Sequence, residues 1–275
     1  MMRPKPNDGF AWVQAAAGPA LVCRALQPFA DHLFTTRHWA LGSAPSPDPG
    51  PAWEEVARAL GVDPARLIRA HQVHGASLLV RRASRSAPRP ATPDDLLDAD
   101  ILVSDDPRLA LAIQTADCVP LLIADRRTGS VAAAHAGWRG LAARVPAVAV
   151  EALTREFGSR PADLVAAIGP SIGAARYEVG ADVRERFAAS GCSQLARWFA
   201  DADRPSHWYF DGWRSARDLL EAAGVPAAQI HVAGLCTASH PDLLCSYRRD
   251  GKGAGRTAGA IRSREAQESR QWVIW

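Results

Sequence analysis

Residues 111–140 read LAIQTADCVPLLIADRRTGSVAAAHAGWRG, and the rest of the chain is arranged about them. Two short apolar runs, 119–124 and 131–134, flank a polar stretch, 125–130, that contains Gly129. β-compatible runs joined by a few polar residues and a glycine predict a hairpin. With Arg126 and Arg127 at the tip, the register sets Cys118 opposite His135. A longer loop slips the ladder by a residue or two and leaves them neighbours. Opposite residues of an antiparallel pair hold their Cβ atoms only about 4.5–5.5 Å apart. A thiol and an imidazole thus meet at the open end of the hairpin, and both have the softness of zinc ligands. Each alone has a plain structural reading, Cys118 as a small buried hydrophobe and His135 as a core imidazole. Their juxtaposition, followed by HAGWRG at 135–140, points to chemistry, and a third ligand decides it.

That ligand is sought in HQVHG, 71–75, which supplies His71 and His74. On a strand these two point to opposite faces, so at most one joins Cys118 and His135. Gly75 permits an unusual backbone just after His74. One His, Cys118 and His135 make three protein donors, the composition of a catalytic zinc site with an open fourth position. Water on such a metal has its pKa lowered toward about 7.

Composition sets the wider class. A chain of 275 residues, 48% apolar and 22% charged, suits a soluble globular protein with one sizeable core. A net charge of +3 is too small to imply a polyanion partner, although the 32 basic residues are nearly all arginine, so nucleic acid is not expected. Five cysteines, an odd number without CxxC spacing, argue against a disulfide framework and for a reducing cytoplasm. No apolar run approaches a membrane span, and residues 1–22 lack the order of a secretion signal.

Outward from the hairpin, residues 10–38 alternate apolar pieces with turns, and 33–36 reads as a strand. Pro-rich 42–51 is loop-like. Helix follows at 52–60, stopped by Gly61, with another short turn of helix opened by Asp63-Pro64. Strands are expected at 77–80, 101–103, 164–168 and 230–232, and basic, Pro-rich 81–93 as an exposed loop. Helices are expected at 141–157, ended by Gly158, at 180–200, and at 211–223, ended by Gly224. Without repeats or a linker, the chain reads as a single α/β (α+β) domain, residues 1–275. Its core is a mixed β-sheet or sandwich with flanking helices, because a hairpin sits among helix-connected strands.

Six ordered motifs carry a resemblance: QVHG at 72–75, ADxxVSDD at 99–106, TADCVPLLIAD at 115–125, AAAHAGWRG at 132–140, IGPSIGxxxYEVG at 168–180 and CTxxxPDLLCSYRRDGxxxGR at 236–256. The chain resembles the YfiH-type family, and the resemblance runs from about residue 10 to about residue 265. Its members were first described as multicopper polyphenol oxidoreductases (laccases) and are now read as zinc-dependent purine nucleoside phosphorylases with adenosine deaminase activity. The resemblance implies a metal triad of His74, Cys118 and His135. It also implies arginines for phosphate, with Arg37 foremost and Arg139, Arg248 and Arg256 as further candidates, since guanidinium groups grip phosphate oxygens bidentately. Asp117, beside the metal cysteine, is a candidate to orient a ligand or move a proton. Tyr177 and Glu178 read as structural among turn glycines. One region departs from the family: after Arg37 this chain has HWALGSAPSPDPGPAWEEVARAL, without the GG, the SLNLG-like run or the Asn-Arg pair that usually help form the substrate wall.

The expected function is thus phosphorolysis of purine nucleosides with inorganic phosphate, with deamination of adenosine, by a cytoplasmic protein that is a monomer or weak homo-oligomer. Two alternatives stand beside it. A copper phenol oxidase is disfavoured because eight scattered histidines cannot build a blue copper and a multinuclear centre, although a single Cu2+ could occupy the triad. A metal-free Cys118–His135 dyad would instead be a cysteine hydrolase acting on amide bonds, as in cell-wall precursors.

Overall fold

The computed structural model describes residues 3–42, 50–83 and 97–264. Strands Val119–Asp125 and Val131–Ala136 form the expected hairpin. Its turn is longer than a two-residue tip. The Asp125 carboxylate accepts the amides of Arg127 (2.7 Å) and Thr128 (3.2 Å), Gly129 takes φ 75°, and Asp125 N donates to Ser130 O at 2.9 Å. The register therefore slips by two: His135 pairs with Pro120 and Ala136 with Val119. Cys118 lies just outside the ladder rather than opposite His135, and the two remain neighbours.

Both strands are buried on both faces, which explains why they read as continuous apolar runs instead of alternating ones. Leu121, Ile123, Ala132 and Ala134 face one core, and Leu122, Ala124, Val131 and Ala133 face another. Each leucine so buried contributes about 1.5–3 kcal/mol. The hairpin lies in the middle of a six-stranded mixed sheet, in which Leu164–Ile168 pairs antiparallel with Val119–Asp125 and parallel with Ile230–Val232. On the other side Ile101–Ser104 pairs antiparallel with Val131–Ala136 and parallel with Leu78–Arg81. A second six-stranded sheet contains Phe10–Ala15, Gly18–Cys23, Ala30–Thr35, Thr257–Ser263, Ala110–Thr115 and Leu67–Ile68 in that order.

Phe34, Leu111, Ile113 and Ile261 of this sheet meet Leu122, Val131 and Val165 of the first, so the two make a sandwich. Helices cover the outer faces. Val145–Phe157 and Gly212–Ala222 lie on the hairpin sheet, and Gly50–Ala59 packs Trp53 and Val56 on the other. A small sheet of Glu178–Gly180, His207–Phe210 and Phe199–Asp201 closes one end. Among the described residues no helix is long and apolar enough to cross a membrane.

Several expectations need correction. The helix expected at 141–157 is two, Trp138–Ala142 and Val145–Phe157, broken at Arg144 (φ 60°), with Pro146 in the first turn of the second. Only Ala181–Ala189 and the short Leu195–Trp198 of 180–200 are helical, and Phe199 opens a strand. HQVHG is not a strand: His71 makes one isolated bridge to Asp98, and the chain then turns. Residues 10–38 supply three full strands, two of them joined by only Ala16 and Ala17. The loops expected at 42–51 and 81–93 fall largely outside the described residues.

Candidate metal centre

Three separate segments bring the donors together. His135 sits on Val131–Ala136, 3% exposed, and its amide donates to Asp100 O at 2.8 Å. Cys118 follows Asp117, whose φ of 90° turns the chain, and Thr115 Oγ1 donates to Cys118 O at 2.5 Å. His74 sits at φ 60° in the turn after Val73. Such left-handed conformations cost non-glycine residues free energy and gather at functional sites. Two clamps hold the His74 turn. The Gln72 side-chain amide bonds both backbone groups of Gln114, donating to its O and accepting from its N, each at 2.8 Å. The Asp100 carboxylate accepts from His74 N at 3.0 Å and Gly75 N at 2.7 Å.

One ligating atom from each of His74, Cys118 and His135 lies within 4.8 Å of the other two, and this is the single such group of three among the described residues. The imidazole rings meet edge to face, centroids 4.8 Å apart. Of HQVHG, then, His74 joins the site. His71 pairs instead with Asp98 at 2.8 Å near the surface. A soft thiolate with two imidazoles fits borderline-soft zinc, and also fits copper. Gly137 explains the glycine of HAGWRG: a Cβ there would lie 2.9 Å from Cys118 Sγ and 3.4 Å from His74 Cδ2.

Electrostatics favour the charged pair. Burial alone would raise the Cys118 thiol, but the adjoining His135, with hydrogen bonds from both imidazoles, brings it down to about 6. Burial likewise opposes charge on His135, and the Cys118 thiolate and the Asp100 carboxylate overcome it, lifting it to about 9.

Asp117 is fully engaged by protein donors. Its Oδ1 accepts from Thr237 Oγ1 at 2.5 Å and its Oδ2 from Arg248 N at 2.6 Å. It fastens the 236–250 segment to the turn that carries Cys118. The four candidate arginines fall into two groups. Arg139 stacks on Trp138, 4.2 Å from the ring centroid, and Arg248 lies 5.1 Å from the Tyr177 centroid and donates to Glu178 O at 2.8 Å. Burial lifts the Tyr177 phenol above its ordinary range. Cys118 adds to this, while Arg248 and Arg139 counter it, so all three lie within electrostatic reach of the Tyr177 hydroxyl.

Arg37 and Arg256 gather elsewhere, with Arg249, around Cys245, whose thiol is raised by burial against their opposing charge. Arg37 Nη1 donates to Pro241 O, and Arg256 Nη1 to Ala254 O and Gly255 O. Arg37 also lines an open cleft of about 840 Å³ with Arg3, His38 and His240. The sequence reading passed over Asp100, Gln72 and Gly137. Their signals were the acidic residue of ADxxVSDD, the glutamine of QVHG and the glycine of HAGWRG.

Comparison with known proteins agrees with the motifs. Residues 51–264 match the family model described as multi-copper polyphenol oxidoreductase laccase, and the chain belongs to this YfiH-type family. A Deinococcus radiodurans protein named purine nucleoside phosphorylase is 37% identical over 242 residues, covering 84% of this chain and 88% of that protein. One of the same name from Bacteroides thetaiotaomicron is 37% identical over 199 residues, 72% of this chain and 73% of its own. The crystal structure of Bacillus licheniformis hypothetical protein YfiH superimposes with a TM-score of 0.80 at 29% identity, covering 89% of this chain and 96% of that one.

Proposed function

We propose that this chain is a zinc-dependent purine nucleoside phosphorylase that also deaminates adenosine, with His74, Cys118 and His135 as metal ligands. The observation that carries the reading is the convergence of these three donors in a chain 37% identical, over 84% of its length, to a protein named purine nucleoside phosphorylase. When bound, zinc supplies Lewis acidity at a fourth, open position.

The rest of the chemistry falls to the protein. In phosphorolysis a phosphate oxygen attacks the anomeric carbon of the ribose, the bond from that carbon to purine nitrogen breaks, and the purine leaves with the electron pair. Arg139 and Arg248, both exposed beside the triad, grip phosphate and stabilise charge as the bond breaks. Arg37 and Arg256 add positive potential that draws phosphate toward the rim. Asp117, with both oxygens occupied, positions the Arg248 segment rather than moving protons.

A second reading rests on one specific feature. A thiol lowered to about 6, beside an imidazole backed by the Asp100 carboxylate, is also the arrangement of a cysteine hydrolase. A multinuclear copper oxidase has less support, since the described residues contain one group of three ligands.

Elemental analysis of the purified protein and of Cys118→Ala, with inosine and adenosine turnover measured with and without phosphate, tests the proposal. About one zinc per chain and phosphate-dependent release of free base, both lost in the variant, are expected. Amide hydrolysis that survives a chelator, with no nucleoside turnover, would establish the hydrolase instead.

A further inference from the structure

Asp100 makes a set of contacts that no other described residue makes with the triad. Its side chain is fully buried. Oδ1 accepts from His135 Nδ1 at 2.8 Å and from His74 N at 3.0 Å, and Oδ2 accepts from Gly75 N at 2.7 Å. Its carbonyl takes the His135 amide at 2.8 Å, and its own amide donates to Ser77 O at 3.0 Å. One residue thus grips the ring of one histidine ligand and the strained backbone of the other.

We infer that Asp100 is the positioning residue of the centre: it fixes the His135 ring with its proton on Nδ1, leaving Nε2 for the metal, and holds the His74 turn in the left-handed conformation that presents its imidazole. This rests on the metal reading above. Three N–H groups converge on the carboxylate, and only a group that accepts on both oxygens satisfies them all.

An asparagine cannot. With its amide nitrogen toward Gly75, two donors face each other. With the nitrogen toward His135, Nδ1 must accept and the ring proton moves to Nε2, the atom the metal needs. Carboxylate partners of this kind raise ligand basicity and set ring orientation, and their loss weakens metal binding about 10–100-fold.

The chain carries its own control. Asp98 and His71 form a pair with the same 2.8 Å separation, but their side chains are 66% and 51% exposed and neither belongs to the triad.

The test is titration of metal-free wild type, Asp100→Asn and Asp98→Asn with Zn2+ against a chromophoric competitor, and with Co2+ followed by its thiolate-to-metal absorption. Expected are binding about 10–100-fold weaker in Asp100→Asn, a cobalt–thiolate band that persists at saturation because Cys118 remains, and wild-type affinity in Asp98→Asn. Equal affinity in wild type and Asp100→Asn would overturn the inference while leaving the metal reading intact. A wild type that takes up neither metal would overturn both.

If Asp100→Asn does not fold, ¹⁵N-imidazole spectra of zinc-loaded wild type decide the matter. A His135 proton on Nδ1 supports the assignment, and one on Nε2 overturns it.

Discussion

The Asp117 carboxylate accepts the backbone amide of Arg248 at 2.6 Å, joining residues 131 positions apart. The same side chain takes the Thr237 hydroxyl, and its neighbour Cys118 belongs to the group of three donors with His74 and His135. The arginine-bearing segment is therefore tied to the Cys118 segment through one aspartate. Asp117→Asn keeps the tolerance of left-handed backbone that φ 90° requires but replaces two charge-assisted bonds by neutral ones: its oxygen keeps Arg248 N, and its amide must donate to Thr237 Oγ1, reversing that bond. Expected are a stability loss of about 1–3 kcal/mol, a raised KM for phosphate and unchanged zinc content. Steady-state kinetics beside elemental analysis check this, and loss of zinc with unchanged KM would contradict it.

Gly137→Ala tests the packing of the triad. Its methyl would sit 2.9 Å from Cys118 Sγ, closer than any relaxed contact, with His74 Cδ2 at 3.4 Å. The thiol must move, so zinc content falls well below one per chain while circular dichroism stays that of the folded protein. Full zinc occupancy in this variant would mean the Cys118 segment shifts more freely than its contacts suggest.

In metal-free protein the Cys118 thiol ionises near pH 6 rather than the ordinary 9. Its folded pKa is depressed, so the stability contributed by the thiolate is present at alkaline pH and is lost as pH falls through about 6. The partner His135 is raised, so its contribution is full below about 6.5 and is lost as pH rises through about 9. The charged pair therefore spans about pH 6 to 9. Alkylation of metal-free protein by iodoacetamide should reach half its maximal rate near pH 6, and zinc should suppress it. A midpoint near 9 would show that the thiol is not held as a thiolate.

The two arginine groups should separate in kinetics. Arg248→Lys removes the fork that reaches Glu178 O while keeping the charge; KM for phosphate should rise about tenfold or more. Arg256→Lys, in the group around Cys245, should change it only about two- to threefold. The reverse order would place phosphate on the Arg37 and Arg256 side.

His32 supplies an acid limit to stability. It is fully buried, its Nε2 accepting from Cys23 N at 2.8 Å, and burial lowers its pKa to about 4. A depressed folded pKa means the contribution is present above about 6.5 and is lost as pH falls through about 4. The full loss is about 3 kcal/mol. Denaturant unfolding between pH 7 and 4 should show that slope, and His32→Gln should flatten it.

Much of the core was legible because local pattern and burial agree. The run 164–168 is a strand at those bounds, and Gly158 ends its helix at φ 66°. Asp211 caps Gly212–Ala222 by accepting from Arg214 N at 2.9 Å. Elements were misread where tertiary context overrode pattern. Residues 195–201 carry apolar residues at helical spacing, yet Phe199 turns into a strand that stacks on Phe210. In the first thirty-five residues short strands follow one another through tight turns, so no periodic window is long enough to announce them.

By itself the sequence determined the central hairpin, the mixed sheet around it, the family, and the residue types of the triad, because each of these is written in short-range order. Asp100's double grip, the left-handed turn that carries His74, and the division of the arginines into two groups were decided only by the tertiary structure. They depend on which atoms of separate segments converge. Residue spacing records distance along the chain, whereas the hydrogen bonds that the Asp100 and Asp117 carboxylates accept are settled by the packing of two sheets and the loops at their edge.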